Sequence, residues 1–121
     1  MPRQRGEVRC RAARVRQDPK ETAQERADRD PRCGLGLAVD PLRQYTADNV
    51  VPSRAWHGDV LAADCQLSQG SSVVDEASRR STRWFHVRLP RGSTPPTAWL
   101  PAVRTKDRPA LPGCPRPTTV R

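Results

Sequence analysis

Between residues 84 and 89, Trp84, His86 and Arg88 alternate with Phe85, Val87 and Leu89. A period of two puts alternate side chains on opposite faces, so this run predicts a half-buried strand with Phe85, Val87 and Leu89 turned inward. A second apolar run over residues 97–103 centres on Trp99. The Pro, Gly, Ser and Thr of residues 90–96 have turn chemistry and no helical period. The two runs together hold three of the five aromatic residues of the chain. They read as paired strands at the centre of the core.

Weaker patterns surround this pair. Leu35, Leu37 and Val39 alternate until Pro41 and predict a first strand. Val50, Val51 and Pro52 predict a short second one, and the proline assigns it to a sheet edge or a turn. His57, Gly58 and Asp59 form a turn signal leading into a third strand over residues 60–67, followed by a loop at 68–72 and a polar excursion at 73–80. Residues 1–32 contain no Leu, Phe, Trp or Tyr and are crowded with charge. Asp18 and Pro19 suit the N-cap and first position of a helix. Such a helix would have no apolar face to bury, so a disordered basic arm is expected. Four prolines after residue 104 predict an irregular tail. The division is therefore an arm at 1–32, a folded domain at 33–104 and a Pro-rich tail at 105–121. Short strands separated by turn-rich loops point to an all-β fold, a small barrel.

Composition supports a small core. The chain has 121 residues with 35% hydrophobic and 4% aromatic content, 13 prolines and a mean hydropathy of -0.81. The net charge is +9, and all but Lys20 and Lys106 of the 22 basic residues are arginine. With no isoleucine and Asn49 as the one asparagine, this is the usage of a GC-rich genome. Part of the charge thus reflects codon usage, although it still favours solubility and weak attraction to anionic polymers. No run of 18 apolar residues is present, so no membrane span is expected. Residues 1–5 are basic with no apolar stretch behind them, so no secretory signal is read there.

The candidate chemistry is thin. Cys10, Cys33, Cys65 and Cys114 form no Cys-x-x-Cys knuckle, so neither a metal site nor a cofactor is expected. Cys65 can be paired on paper with His57 or His86 as a nucleophile and base, but no flanking motif supports it. Asp59, Asp64, Asp75 and Glu76 show no acid and base arrangement, and Gly34 and Gly36 precede no helix. No catalytic residue is assigned and no enzyme is expected. Arg79, Arg80, Arg83, Arg88 and Arg91 would give the domain a basic side. The alternative function is accordingly a basic intracellular, cytoplasmic protein touching nucleic acid through arginine–phosphate contacts.

The motifs of residues 35–104 resemble those of bacterial SH3-like (SH3b) domains of the actinomycete type. Gly36-Leu37-Ala38-Val39 is similar to the family's first strand, Val50-Val51 to its second, Gly58 to its turn glycine, and residues 60–66 to the strand that follows. Residues 84–89 and Ala98-Trp99-Leu100 match its two closing strands, although Ala98 stands where glycine is usual. The resemblance implies an SH3-like barrel acting as a non-catalytic binding module for cell-wall (peptidoglycan) peptide or a partner protein. It implies an extracellular or cell-wall-associated monomer. The family's groove lies between loops, which makes Tyr45, Trp56 and Trp84 the ligand-binding candidates. Of Trp84 and Trp99, one fills the core and the other lines a groove, or both pack inside. Some members carry a cysteine in the middle strand and another after a Leu-Pro step, as Cys65 and Cys114 do here. That disulfide would close a loop of about 50 residues, worth roughly 4 kcal/mol in the chain-entropy model. Cys10 with Cys33 is a second possible pairing, and unpaired thiols are the alternative to both.

Overall fold

A computed structural model describes residues 12–18, 20–75, 78–106 and 109–115. The predicted arm before residue 12, with Cys10 and its pairing, and the tail beyond residue 115 lie outside the described residues. Among the described residues the chain is all-β with one short α-helix. Its elements are β1 (Arg14–Arg16), α1 (Ala23–Asp28), β2 (Asp30–Ala38), β3 (Val50–His57), β4 (Val60–Leu67), β5 (Val73–Val74), β6 (Arg80–Ser81), β7 (Trp84–Arg88) and β8 (Thr97–Pro101). Six strands form one sheet in the order β1-β4-β7-β8-β2-β3, and β5 pairs with β6 separately.

The central hairpin is the one expected from alternation. β7 and β8 pair antiparallel with Phe85 opposite Leu100 and Val87 opposite Ala98. All four are buried, and they face Leu35 and Leu37 of β2 and Leu61 of β4 in the main core. Burying a side chain such as Phe85 or Leu100 stabilises the fold by roughly 2–3 kcal/mol. Leu89 is half-buried and packs against the same core. β3 lies at an edge, as Pro52 requires, but it runs on to His57, longer than the two or three residues anticipated.

Among the described residues the sheet is not closed into a barrel; it ends at β1 and β3. β3 and β4 are joined through Gly58 and Asp59, yet they do not neighbour each other in the sheet. The edge of β4 that would meet β3 is taken by β1, which runs parallel to it with Val15 opposite Leu61. Gly58, at a φ of 86°, donates its N–H to Ala12, and Asp59 accepts from the N–H of Arg14. The turn residues are thus bonded to the segment that occupies the edge.

This corrects the expectation of disorder through residue 32. Ala13 and Val15 are fully buried, and α1 is a defined helix. Val15 was invisible as a core residue because a lone valine between arginines shows no period of its own. It is buried only once β4 supplies the partner. The helix is capped by Thr22, not Asp18. Thr22 Oγ1 accepts from the N–H of Glu25, and Glu25 Oε1 accepts from the N–H of Thr22, a capping box. α1 buries no residue and is tied to β1 by Glu25, which pairs with Arg16.

The other side of the sheet carries a smaller apolar cluster of Ala38, Val73, Trp84 and Val103, with Tyr45, Leu67 and Trp99 packed against it. Over residues 109–115 the tail forms no helix or named strand, yet it is attached. Gln66 donates its N–H to Pro112 and accepts from the N–H of Cys114, while Leu111 is buried in the main core. Cys65 and Cys114 form a disulfide, with their Cα atoms 4.9 Å apart.

Candidate functional site

The loop between β2 and β3 borders two concavities, and one side chain holds that loop. Asn49 is fully buried. Its Nδ2 donates to the carbonyls of Asp40 at 2.9 Å and Gln44 at 3.0 Å, and its Oδ1 accepts from the N–H of Asp40 at 3.0 Å. An amide has donors and an acceptor on one planar group, so it can satisfy both kinds of backbone atom at once. The result is a fixed loop that presents Tyr45. Beside it, Thr46 Oγ1 donates to Asp48, which holds that carboxyl below its ordinary range; a loop backbone bond and Arg43 add to the effect.

Tyr45 is half-buried and its hydroxyl donates to the carbonyl of Gly36 at 2.6 Å. Its ring meets Trp84 edge-on, with centroids 5.7 Å apart. Tyr45 also lines a cleft of about 390 Å³ with Gln44, Thr46, Ser72, Val73, Val74 and Arg104. A second cleft of about 480 Å³, lined by Gly36, Ala47, Val50, Val51, Pro52 and Arg54, involves the same loop. Val74 and Val50 are apolar and exposed, one at each cleft. The Tyr45 cleft therefore combines an aromatic edge, an exposed aliphatic group, hydroxyls and a guanidinium. Such a lining suits a ligand with an apolar body and an anionic or amide group.

Of the three groove candidates, Tyr45 lines this cleft and Trp84 does not. Trp84 is fully buried and cannot form the floor of an open groove. Its Nε1 donates to the carbonyl of Ser71 at 3.0 Å, and Gly70 lies so close that an added Cβ would sit 2.4 Å from the indole Cδ1. Alternation placed Trp84 correctly opposite Phe85, but it cannot reveal that the 68–75 loop covers that face. Trp56 is half-buried on β3, against Gly34, and does not line the Tyr45 cleft. The structure thus joins Tyr45 with Trp84 and leaves Trp56 apart.

Trp99 takes the half-exposed position that the hairpin offers. It stands opposite His86 across the β7–β8 pair, with ring centroids 4.7 Å apart. On its other side His86 Nδ1 lies 2.9 Å from Asp64 Oδ1. Asp64, His86 and Trp99 thus form a row across three strands. The pairing of Cys65 with a histidine as nucleophile and base fails in this state, because Cys65 is bonded to Cys114 and has no thiol. His57 is buried, and its Nδ1 accepts from the N–H of Ala12. Of the arginines on the expected basic side, Arg79 pairs with Asp75 and Arg80 donates to Ser72 at the cleft, while Arg83, Arg88 and Arg91 are exposed.

Among the described residues no helix is long and apolar enough to cross a membrane. The disulfide fits an oxidising environment. No family model, no curated protein and no solved structure matches this chain.

Proposed function

We propose that this protein is a non-catalytic binding module of the SH3-like kind, an open relative of that barrel, that takes a cell-wall peptide or a partner protein. The observation that carries the reading is the Tyr45 cleft on its clamped loop. Its mixed lining matches what a short peptide offers, namely aliphatic side chains beside amides and a carboxylate. Arg104 supplies the charge for the carboxylate, and Val74 and Tyr45 supply apolar contact. A module working outside the cell would also keep the Cys65–Cys114 bond oxidised.

The test is retention of the full chain on purified peptidoglycan, together with amide-shift titration using soluble stem peptides. The expected result is retention, with shifts confined to residues around Tyr45, Ser72 and Val74. Val74→Asp, an exposed position, is expected to weaken binding about tenfold or more without altering the amide spectrum elsewhere. No retention, no peptide-induced shift and no specific protein partner would end this reading. A signal on mixed DNA and RNA that falls steeply with salt, unaffected by Val74→Asp, would favour arginine–phosphate contacts instead.

A further inference from the structure

The pairing of β4 with β7 slips by one residue between Ala63 and Cys65, which stand opposite Val87 and His86 in turn. Asp64 is the extra residue of that bulge. In a regular strand, neighbours such as Asp64 and Cys65 would point to opposite faces. The bulge instead brings a carboxylate oxygen, the Cys65 sulfur and an imidazole nitrogen of His86 within 4.8 Å of one another. Cys114 is covalently attached to that sulfur. Three potential ligands from β4 and β7 therefore converge, and the tail brings a fourth, the Cys114 sulfur, by its bond to one of them. Linear spacing cannot reveal such a set, because no two of its cysteines are near in sequence.

We propose that reduction of the Cys65–Cys114 disulfide converts this cluster into a tetrahedral site for a soft divalent cation, with zinc as the best match. The ligands would be the thiolates of Cys65 and Cys114, the imidazole of His86 and the carboxylate of Asp64. Zinc takes sulfur, nitrogen and oxygen ligands at bond lengths that put neighbouring ligand atoms about 3.3–3.8 Å apart. Asp64, Cys65 and His86 already lie within 4.8 Å of one another, and breaking the S–S bond lets the Cys114 sulfur move off Cys65 to complete the set. Two thiolates and a carboxylate around a divalent ion leave a single net negative charge, which a chain of net charge +9 accommodates. The ring of Trp99 against His86 restricts the imidazole before the ion arrives. In the oxidised protein the sulfurs are spent on each other and the site is closed.

The chemistry balances with a phosphine as reductant. The phosphorus attacks one sulfur and breaks the S–S bond, water supplies the oxygen of the phosphine oxide, and both sulfurs leave as thiols. Binding of the cation then releases the two thiol protons to solvent. A cellular dithiol would supply the same electron pair and become a disulfide itself.

The experiment titrates the full chain, oxidised and phosphine-reduced, with cobalt(II) and then zinc. The reduced protein is expected to take one tightly bound ion, showing tetrahedral cobalt absorption with thiolate charge-transfer bands that zinc abolishes. The oxidised protein is expected to show neither band. His86→Ala and Asp64→Asn should each weaken binding at least about tenfold. This dependence ties the bound ion to the Asp64–His86 cluster and not to any other cysteine of the chain. If the reduced chain loses its native amide spectrum, zinc should restore it in the parent and not in His86→Ala. Tetrahedral binding that ignores both substitutions, equal uptake by the oxidised protein, or no restoration by zinc would each overturn the proposal.

Discussion

Asn49 shows how much one side chain can decide. In a chain whose usage avoids asparagine, the one that remains is fully buried and bonded to four backbone groups of a single loop. Aspartate has the same shape but only acceptors when ionised, so Asn49→Asp would face a carboxylate against the carbonyls of Asp40 and Gln44. The expected cost is about 3 kcal/mol or more, from lost bonds and a buried charge without a partner. Urea unfolding of the two proteins measures it, and Asn49→Asp should recover part of the loss as pH falls and the carboxyl regains a proton. An unchanged midpoint would mean the loop does not depend on this clamp. The rarity of asparagine was the signal available in advance, but its partners were not, because they come from a loop without any periodic pattern. Trp84 and Trp99 teach the related limit. Alternation set Trp84 opposite Phe85 but left open which of the two tryptophans fills the core, and the position of Gly70 and Ser71 against Trp84 decides it.

At the level of elements, strands were readable where apolar residues alternate and hidden where a strand borrows its burial. β4, β7 and β8 could be drawn from the sequence within a residue or two. β1 could not, since its single buried valine is flanked by half-exposed arginines. The bulge at Asp64 was equally invisible, because register is a property of two strands and not of one. α1 is a different case. Its Thr22-x-x-Glu25 pattern is a capping box in plain sight, overshadowed by Asp18 and Pro19. Arg16, the N–H of Thr22 and, more weakly, Arg14 hold the Glu25 carboxyl down from 4.5 to about 2. A depressed carboxyl contributes stability that is present above its unfolded value and lost as pH falls through its folded value. The stability difference between the parent and Glu25→Gln should therefore be constant above about pH 5 and shrink between 4.5 and 2. Carboxylate carbon shifts of Glu25 would give the midpoint directly. A midpoint near the ordinary glutamate value would mean the Arg16 pair does not form in solution.

On the scale of the whole molecule, the disulfide is the largest single restraint. It links residues 49 positions apart and holds Leu111 over the core. The chain-entropy model assigns such a link about 4 kcal/mol. Replacing both cysteines, as Cys65→Ser with Cys114→Ser, should lower the Tm by on the order of 15 °C, read by calorimetry. A shift of only a degree or two would show that the hydrogen bonds of Gln66 hold the tail unaided. The all-β class and the hairpin at its centre were recoverable from the sequence, but the open sheet was not. That outcome depends on which segment reaches the edge of β4 first, β3 or β1, and both are compatible with the pattern of that strand.

The parallel pairing of β1 with β4 also has a consequence in time. Residues 14–16 precede their partner by some 46 positions, and the tail that extends the same edge at Gln66 comes another 47 later. Neither end of the described chain can settle until the middle strand exists, and closing such long loops slows folding more than it weakens the product. The domain should therefore reach its final form only once residues 60–67 and 111–114 have been made, on a scale of milliseconds to seconds and not microseconds. The buried Val15 would be one of the last core residues to leave water, although it precedes nearly all the others in the chain.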